Sequence, residues 1–107
     1  MAQYIIAYRG GSMPKTPEEG AAGMAKWKTW VMDLGDAAVN PGTPLGKSMI
    51  VSDSGVTDGS GASAMMGYTI VEAESMDAAL EMAKACPHLE MENATLEVAQ
   101  LMQMGGG

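Results

Sequence analysis

The sequence predicts an α+β domain of the ferredoxin-like type, β-α-β-β-α-β, with an antiparallel sheet and both helices on one face. Three observations carry that expectation. Residues 4–9 (YIIAYR) and 65–73 (MMGYTIVEA) are runs rich in β-branched and aromatic side chains. Thr16-Pro17-Glu18-Glu19 and Ser75-Met76-Asp77 each read as a capped helix start before apolar residues at helical spacing. Residues 95–102 (TLEVAQLM) supply a closing strand.

Taken in order, residues 4–9 are apolar on both alternating faces, which predicts cover on both sides of the sheet. Residues 10–15 form a loop. Thr16 is a cap, Pro17 suits a first helical turn, and Glu18 and Glu19 favour the positive helix end. Met24, Trp27, Val31 and Leu34 make one stripe of a helix ending near Gly35, with Lys26, Thr29 and Asp33 on the solvated face and Trp30 at the margin. Residues 36–46 hold a short extended piece and turn residues. Residues 48–53 (SMIVSD) read as a strand, and the Gly/Ser-rich residues 54–63 as a connection to the next one. After residues 65–73, Ser75 caps a helix with Met76, Ala79, Leu80 and Ala83 inward, and Pro87 ends it. Residues 1–104 are expected to form one domain, with the glycines of 105–107 as a disordered tail.

On the last strand Leu96 and Val98 point one way, and Thr95, Glu97, Ala99 and Leu101 the other. A mixed face of that kind suits apposition to a second sheet better than open water. The chain's first expected partner is therefore itself, in a homodimer that closes two sheets into a barrel.

The core is unusual in kind, with 12 Met and no Phe, so thioethers fill gaps that rings often fill. A net charge of −7 with only 6 Lys and Arg would repel a phosphate backbone, so nucleic acid is not expected as a partner. The same balance, and the lack of a long apolar run, argue against a membrane. A single Cys forbids an intrachain disulfide and fits a reducing cytoplasm, the expected location.

Two loops invite motif readings and fail them. Residues 42–48 (GTPLGKS) are one residue short of a phosphate loop, and Pro41 stands where its first glycine belongs. Residues 53–59 (DSGVTDG) lack the alternating oxygen ligands of a calcium loop. No cofactor is expected. His88, Glu90 and Glu92 alternate, so an extended backbone would aim all three the same way, an arrangement that leaves open a capping histidine, a general acid/base or a metal ligand set. No metal is expected. Cys86 lies at a helix C-terminus, where the dipole disfavours a thiolate, so it reads as structural. Trp27 reads as core, and Trp30 either as core or as the wall of a pocket between helix and sheet.

The pattern W-x-x-W-x-x-x-L-G-x-A-x-V-x-P-G-x-P-L over residues 27–45 resembles the YCII-related family in its DGPF-like branch, as does GYTIVEAESMDAALEMAKACPHLE over residues 67–90. The resemblance implies a dimeric α+β barrel. It also implies, for some relatives, enzymes that act on small cyclic compounds through a His–Asp pair in a cleft. Trp27 stands where that His would be and Cys86 where that Asp would be, so the pair is not carried over. Pro87-His88-Leu89, Trp27 and Trp30 do match the branch, whereas Asp58-Gly59-Ser60-Gly61 replaces Asp-Gly-Pro-Phe and Glu92-Asn93 replaces a glycine pair.

Together these readings predict a homodimer binding a small organic molecule in a helix–sheet cleft. His88 would donate or accept a proton, Trp27 and Trp30 would flank the ligand, and Asp33 and Ser60 would anchor it. The alternative is a non-catalytic dimeric interaction or sensor module for transcription-regulatory partners, by analogy with DGPF-like relatives linked to sigma-factor systems.

Overall fold

Four antiparallel strands carry two helices on one face in the computed structural model, which describes residues 1–11, 15–59 and 64–102. The elements are β1 (Ala2–Gly10), α1 (Pro17–Leu34), β2 (Ala38–Asn40), β3 (Met49–Ser52), β4 (Gly55–Asp58), β5 (Met65–Ala73), α2 (Met76–Lys84) and β6 (Ala94–Gln100). Single 3₁₀ turns follow each helix, at Gly35–Ala37 and Pro87–Glu90. The sheet order is β2-β5-β1-β6. Ile6 of the central strand β1 pairs with Thr69 on one side and Val98 on the other.

Both helix starts are capped as the sequence predicts. Thr16 Oγ1 accepts from Glu19 N–H at 3.1 Å, and the Glu19 carboxylate accepts from Lys15 N–H at 2.8 Å. Ser75 Oγ accepts from Ala78 N–H at 3.2 Å. The helices cover Tyr4, Ile6 and Tyr8 of β1 and Thr69, Val71 and Ala73 of β5, all buried, and they add Trp30, Ala79 and Ala83 to the same core. Within α2, Ala79 and Ala83 are the buried pair, whereas Met76 and Leu80, expected to face inward, are each 38% exposed. The opposite face of β1, with Ile5 and Ala7, is only half-buried in the single chain, so the expected cover on both sides is present on one.

The second expected strand needs correction. Residues 49–52 do not enter the main sheet; they pair with β4 in a separate hairpin, Val51 opposite Val56. The edge beside β5 is already taken. The chain leaves α1 at that edge, Ala38 pairs with Val71, Pro44 bridges to Gly67, and Leu45 N–H reaches Met66 O at 3.0 Å. Residues 38–45 thus fill the position, and the Gly/Ser-rich stretch after Asp53 supplies the returning arm of the hairpin rather than a plain loop. No helix among the described residues is long and apolar enough to cross a membrane.

Candidate functional site

A cleft of about 610 Å³ lies between the first half of α1, the end of β1 and the turn after α2. Tyr8, Trp27 and His88 line one part of it, with the thioether-bearing Met24, Met66 and Met91 around them. Alternation along β1 puts Tyr8 on the helix side, two residues beyond Ile6. Pro87 opens a 3₁₀ turn that swings the next residue inward, so His88 is 8% exposed.

Hydrogen-bond directions in this site follow from donor chemistry. The Trp27 indole can only donate, and Nε1–H reaches Tyr8 Oη at 2.8 Å. Thr69 Oγ1 spends its proton on the Pro41 carbonyl at 2.9 Å. Tyr8 Oη and Thr69 Oγ1 are in direct hydrogen-bond contact, so it is the phenol that donates to the threonine. The sequence runs Trp27 to Tyr8 to Thr69 to Pro41, and its middle members are buried. Gly42 makes the last step possible. At φ +77° its backbone presses against β5, where a Cβ would lie 1.7 Å from Tyr68 O.

Burial pushes the Tyr8 phenol up to about 12, with the Thr69 and Trp27 hydrogen bonds partly offsetting the effect. Burial likewise raises the Cys86 thiol, against the opposing influence of His88 N–H and Tyr8. Cys86 is 2% exposed and therefore a neutral packing group, not a nucleophile.

His88 is held on two sides. Its ring stacks on Tyr8 with centroids 5.4 Å apart and planes at 23°. Its Nε2 lies 3.0 Å from the Arg9 carbonyl oxygen. A carbonyl only accepts, so Nε2 carries the proton and the neutral ring keeps its lone pair on Nδ1.

Against this geometry the sequence expectations divide. His88 and Trp27 come together on the cleft wall. Trp30 does not line the cleft: it is 5% exposed in the core, and its Nε1–H donates to Met82 O at 3.0 Å, tying α1 to α2. Of the two readings of Trp30 the structure realises the core one, while Trp27 is half-buried: it packs against the core with Val31 and Leu34 and also faces the cleft. Asp33 is exposed on α1 and does not line the cleft. Ser60 lies outside the described residues. The alternation of His88, Glu90 and Glu92 is not realised, since the 3₁₀ turn sends His88 inward and Glu90 outward to Lys26 Nζ at 2.8 Å. Among the described residues no three His, Cys, Asp or Glu side chains are grouped to hold a metal.

Sequence reasoning missed Tyr8 and Thr69. The signal available was their shared parity with Ile6 and Val71, which places two hydroxyls on the apolar, helix-facing side of adjacent strands. Buried hydroxyls require partners.

No family model matches the chain, and no curated protein matches it by sequence. Among solved structures it is similar to the 5-chloro-2-hydroxyhydroquinone dehydrochlorinase TftG from Burkholderia phenoliruptrix AC1100, in complex with 2,5-dihydroxybenzoquinone. The superposition has a TM-score of 0.57 at 19% identity and covers 95% of each chain. At that identity the likeness shows a shared α+β fold.

Proposed function

We propose that this protein binds a small organic molecule in the cleft and that His88 exchanges a proton with it. One observation carries the reading: a buried imidazole on the cleft wall is fixed at one nitrogen and along one ring face, with the other nitrogen left as a base. Nδ1 would take a proton from the bound molecule, and the resulting imidazolium would keep its Nε2–H on the Arg9 carbonyl. A positioned base of this type contributes roughly 10²–10⁴-fold to a proton-transfer step. The partner of Nε2 is a carbonyl, not a carboxylate, so the imidazolium gains a dipole's help rather than a full counter-charge. Trp27 and the methionine side chains would supply an apolar, adaptable wall that suits a ring. TftG, a dehydrochlorinase seen with a small quinone, supports a ligand of that size on this fold.

The motifs over residues 27–45 and 67–90 support placement in the DGPF-like branch of the YCII-related family. The half-exposed face bearing Ile5, Ala7, Tyr68 and Ile70 supports a homodimer closed across it. If that dimer is the whole function, the protein is an interaction module and the cleft is incidental.

Titration with a library of small cyclic compounds, followed through the Trp27 indole and His88 ring signals, tests the reading. Binders should shift both signals, and His88→Ala should abolish turnover of any substrate found while leaving the Trp27 shift. Compounds that bind yet leave both signals unmoved would place the site elsewhere.

A further inference from the structure

Resting on the reading of His88 as a base on the cleft wall, we infer that the cleft selects a ring carrying an O–H or N–H donor over isosteres that only accept hydrogen bonds. Among the described residues of the inner wall, the side-chain donors are already committed to the protein itself. The Trp27 indole N–H goes to Tyr8 Oη at 2.8 Å, and the Tyr8 phenol proton goes to Thr69 Oγ1. His88 Nε2–H goes to the Arg9 carbonyl at 3.0 Å. Lys15 and Lys26 also line the cleft, but both are exposed, and Glu19 and Glu90 lie on the same lining, so the rim adds no net charge to the preference.

What the wall has left to offer is acceptors. His88 keeps a lone pair on Nδ1, and Tyr8 Oη, which receives one N–H, has acceptor capacity to spare. The thioethers of Met24, Met66 and Met91 complete the wall, and sulfur of that kind accepts weakly and never donates. Met66 is there by a local device. The pairing of β5 with β1 steps from Gly67 to Met65, so Met66 is left over as a bulged residue, packed against the core and lining the cleft. A ring bearing O–H or N–H satisfies Nδ1 as it displaces water. A ring bearing an ether oxygen leaves both its own oxygen and Nδ1 without a partner. A site with unpaired polar atoms of one kind rejects the analogue that cannot meet them.

Two matched pairs of compounds test this. Benzyl alcohol and anisole are isomers that differ in whether the oxygen carries a proton, and indole and benzofuran differ in the same way at one ring atom. Each is titrated against the isotope-labelled wild type, His88→Phe and Tyr8→Phe, with the Trp27 indole N–H signal as readout, joined by the His88 ring signals where that residue is kept. We expect each donor to bind the wild type roughly five-fold more tightly than its partner, the scale of one net hydrogen bond, although anisole and benzofuran are the more apolar members. His88→Phe keeps a ring on Tyr8 and removes Nδ1, so the preference should nearly vanish. Tyr8→Phe releases the Trp27 N–H to the cleft as a donor, so anisole and benzofuran should gain on their partners. If His88→Phe does not fold, Tyr8→Phe decides alone. Equal binding within each pair by the wild type, or a preference that either folded variant leaves intact, overturns the donor assignment while leaving the cleft as a binding site. If no compound moves either signal in the wild type, both the assignment and the cleft reading fall.

Discussion

The imidazole of His88 rests on the phenol ring of Tyr8, and the two are locked from opposite ends: His88 by the Arg9 carbonyl, Tyr8 by Trp27 and Thr69. The seat of the histidine ring therefore depends, through Tyr8, on two residues, Trp27 and Thr69, that hold the phenol beneath it.

Tyr8→Phe separates the two roles of the tyrosine. The ring stack survives, but Trp27 Nε1 loses its acceptor and Thr69 loses a donor. Stability should fall by about 1–2 kcal/mol, measurable as a shift in the urea midpoint without a change in slope. Nitrogen shifts of the His88 ring should still report the proton on Nε2. A tautomer change in this variant would show that the Arg9 contact alone does not hold the ring.

Alkaline pH should weaken the fold through the same phenol. Its folded pKa of about 12 lies above the model-compound 10.0, so the unfolded chain sheds that proton first. The stabilisation is complete below about pH 10 and is lost as pH rises toward 12. Two units correspond to about 3 kcal/mol as an upper scale. Unfolding measured across that window should show a steeper loss in the wild type than in Tyr8→Phe. The raised Cys86 thiol acts in the same direction, with its loss beginning near its own ordinary range.

The tryptophans should be optically distinct. Trp30, buried and bonded to Met82 O, should resist acrylamide quenching in Trp27→Phe, and Trp27 should be quenched readily in Trp30→Phe. A cleft ligand should protect Trp27 and leave Trp30 unaffected.

Two glycines should respond with opposite signs. Gly23→Ala adds a methyl to open space and removes backbone freedom from the unfolded chain, stabilising the protein by about 0.5–1 kcal/mol. Gly42→Ala forces a Cβ into Tyr68 O at a positive φ and should cost roughly 3 kcal/mol or more. Thermal melts of the two variants check both.

Association across the open sheet face should fail when a charge is placed on it. The wild type is expected to sediment as a dimer, and Ile70→Lys as a folded single subunit, since Ile70 faces away from the helices. A wild type that sediments singly removes the dimer from the account.

Much of the architecture was legible because it rests on local chemistry. Thr16, Pro17 and Glu19 announce α1, Ser75 announces α2, and β1 and β5 stand out by composition. The edge was not legible. Three residues, Ala38–Asn40, hold a place in the sheet that the more strand-like 49–52 would claim on propensity, because the exit of α1 delivers them there first. The phase of α1 was legible only in part: Trp27, Val31 and Leu34 do pack against the core, but the deepest residue is Trp30, read as marginal. Trp27 and Trp30 differ by about 60° around the helix, and which of them lies deeper depends on packing angles absent from the sequence. Tyr8 escaped notice because its role comes from Trp27, Thr69 and Pro41, each brought from a different element. His88 stood out as the lone histidine, yet its burial depends on the turn that Pro87 starts.

The β3–β4 hairpin touches the rest of the protein sparingly, and Ile50, Val51 and Val56 are all largely exposed. No side chain from it enters the core or the cleft wall. Evolution can therefore lengthen, shorten or rewrite this arm while the chemistry nearby stays unchanged, and an experimenter can graft a dye or an affinity handle at its tip on the same reasoning.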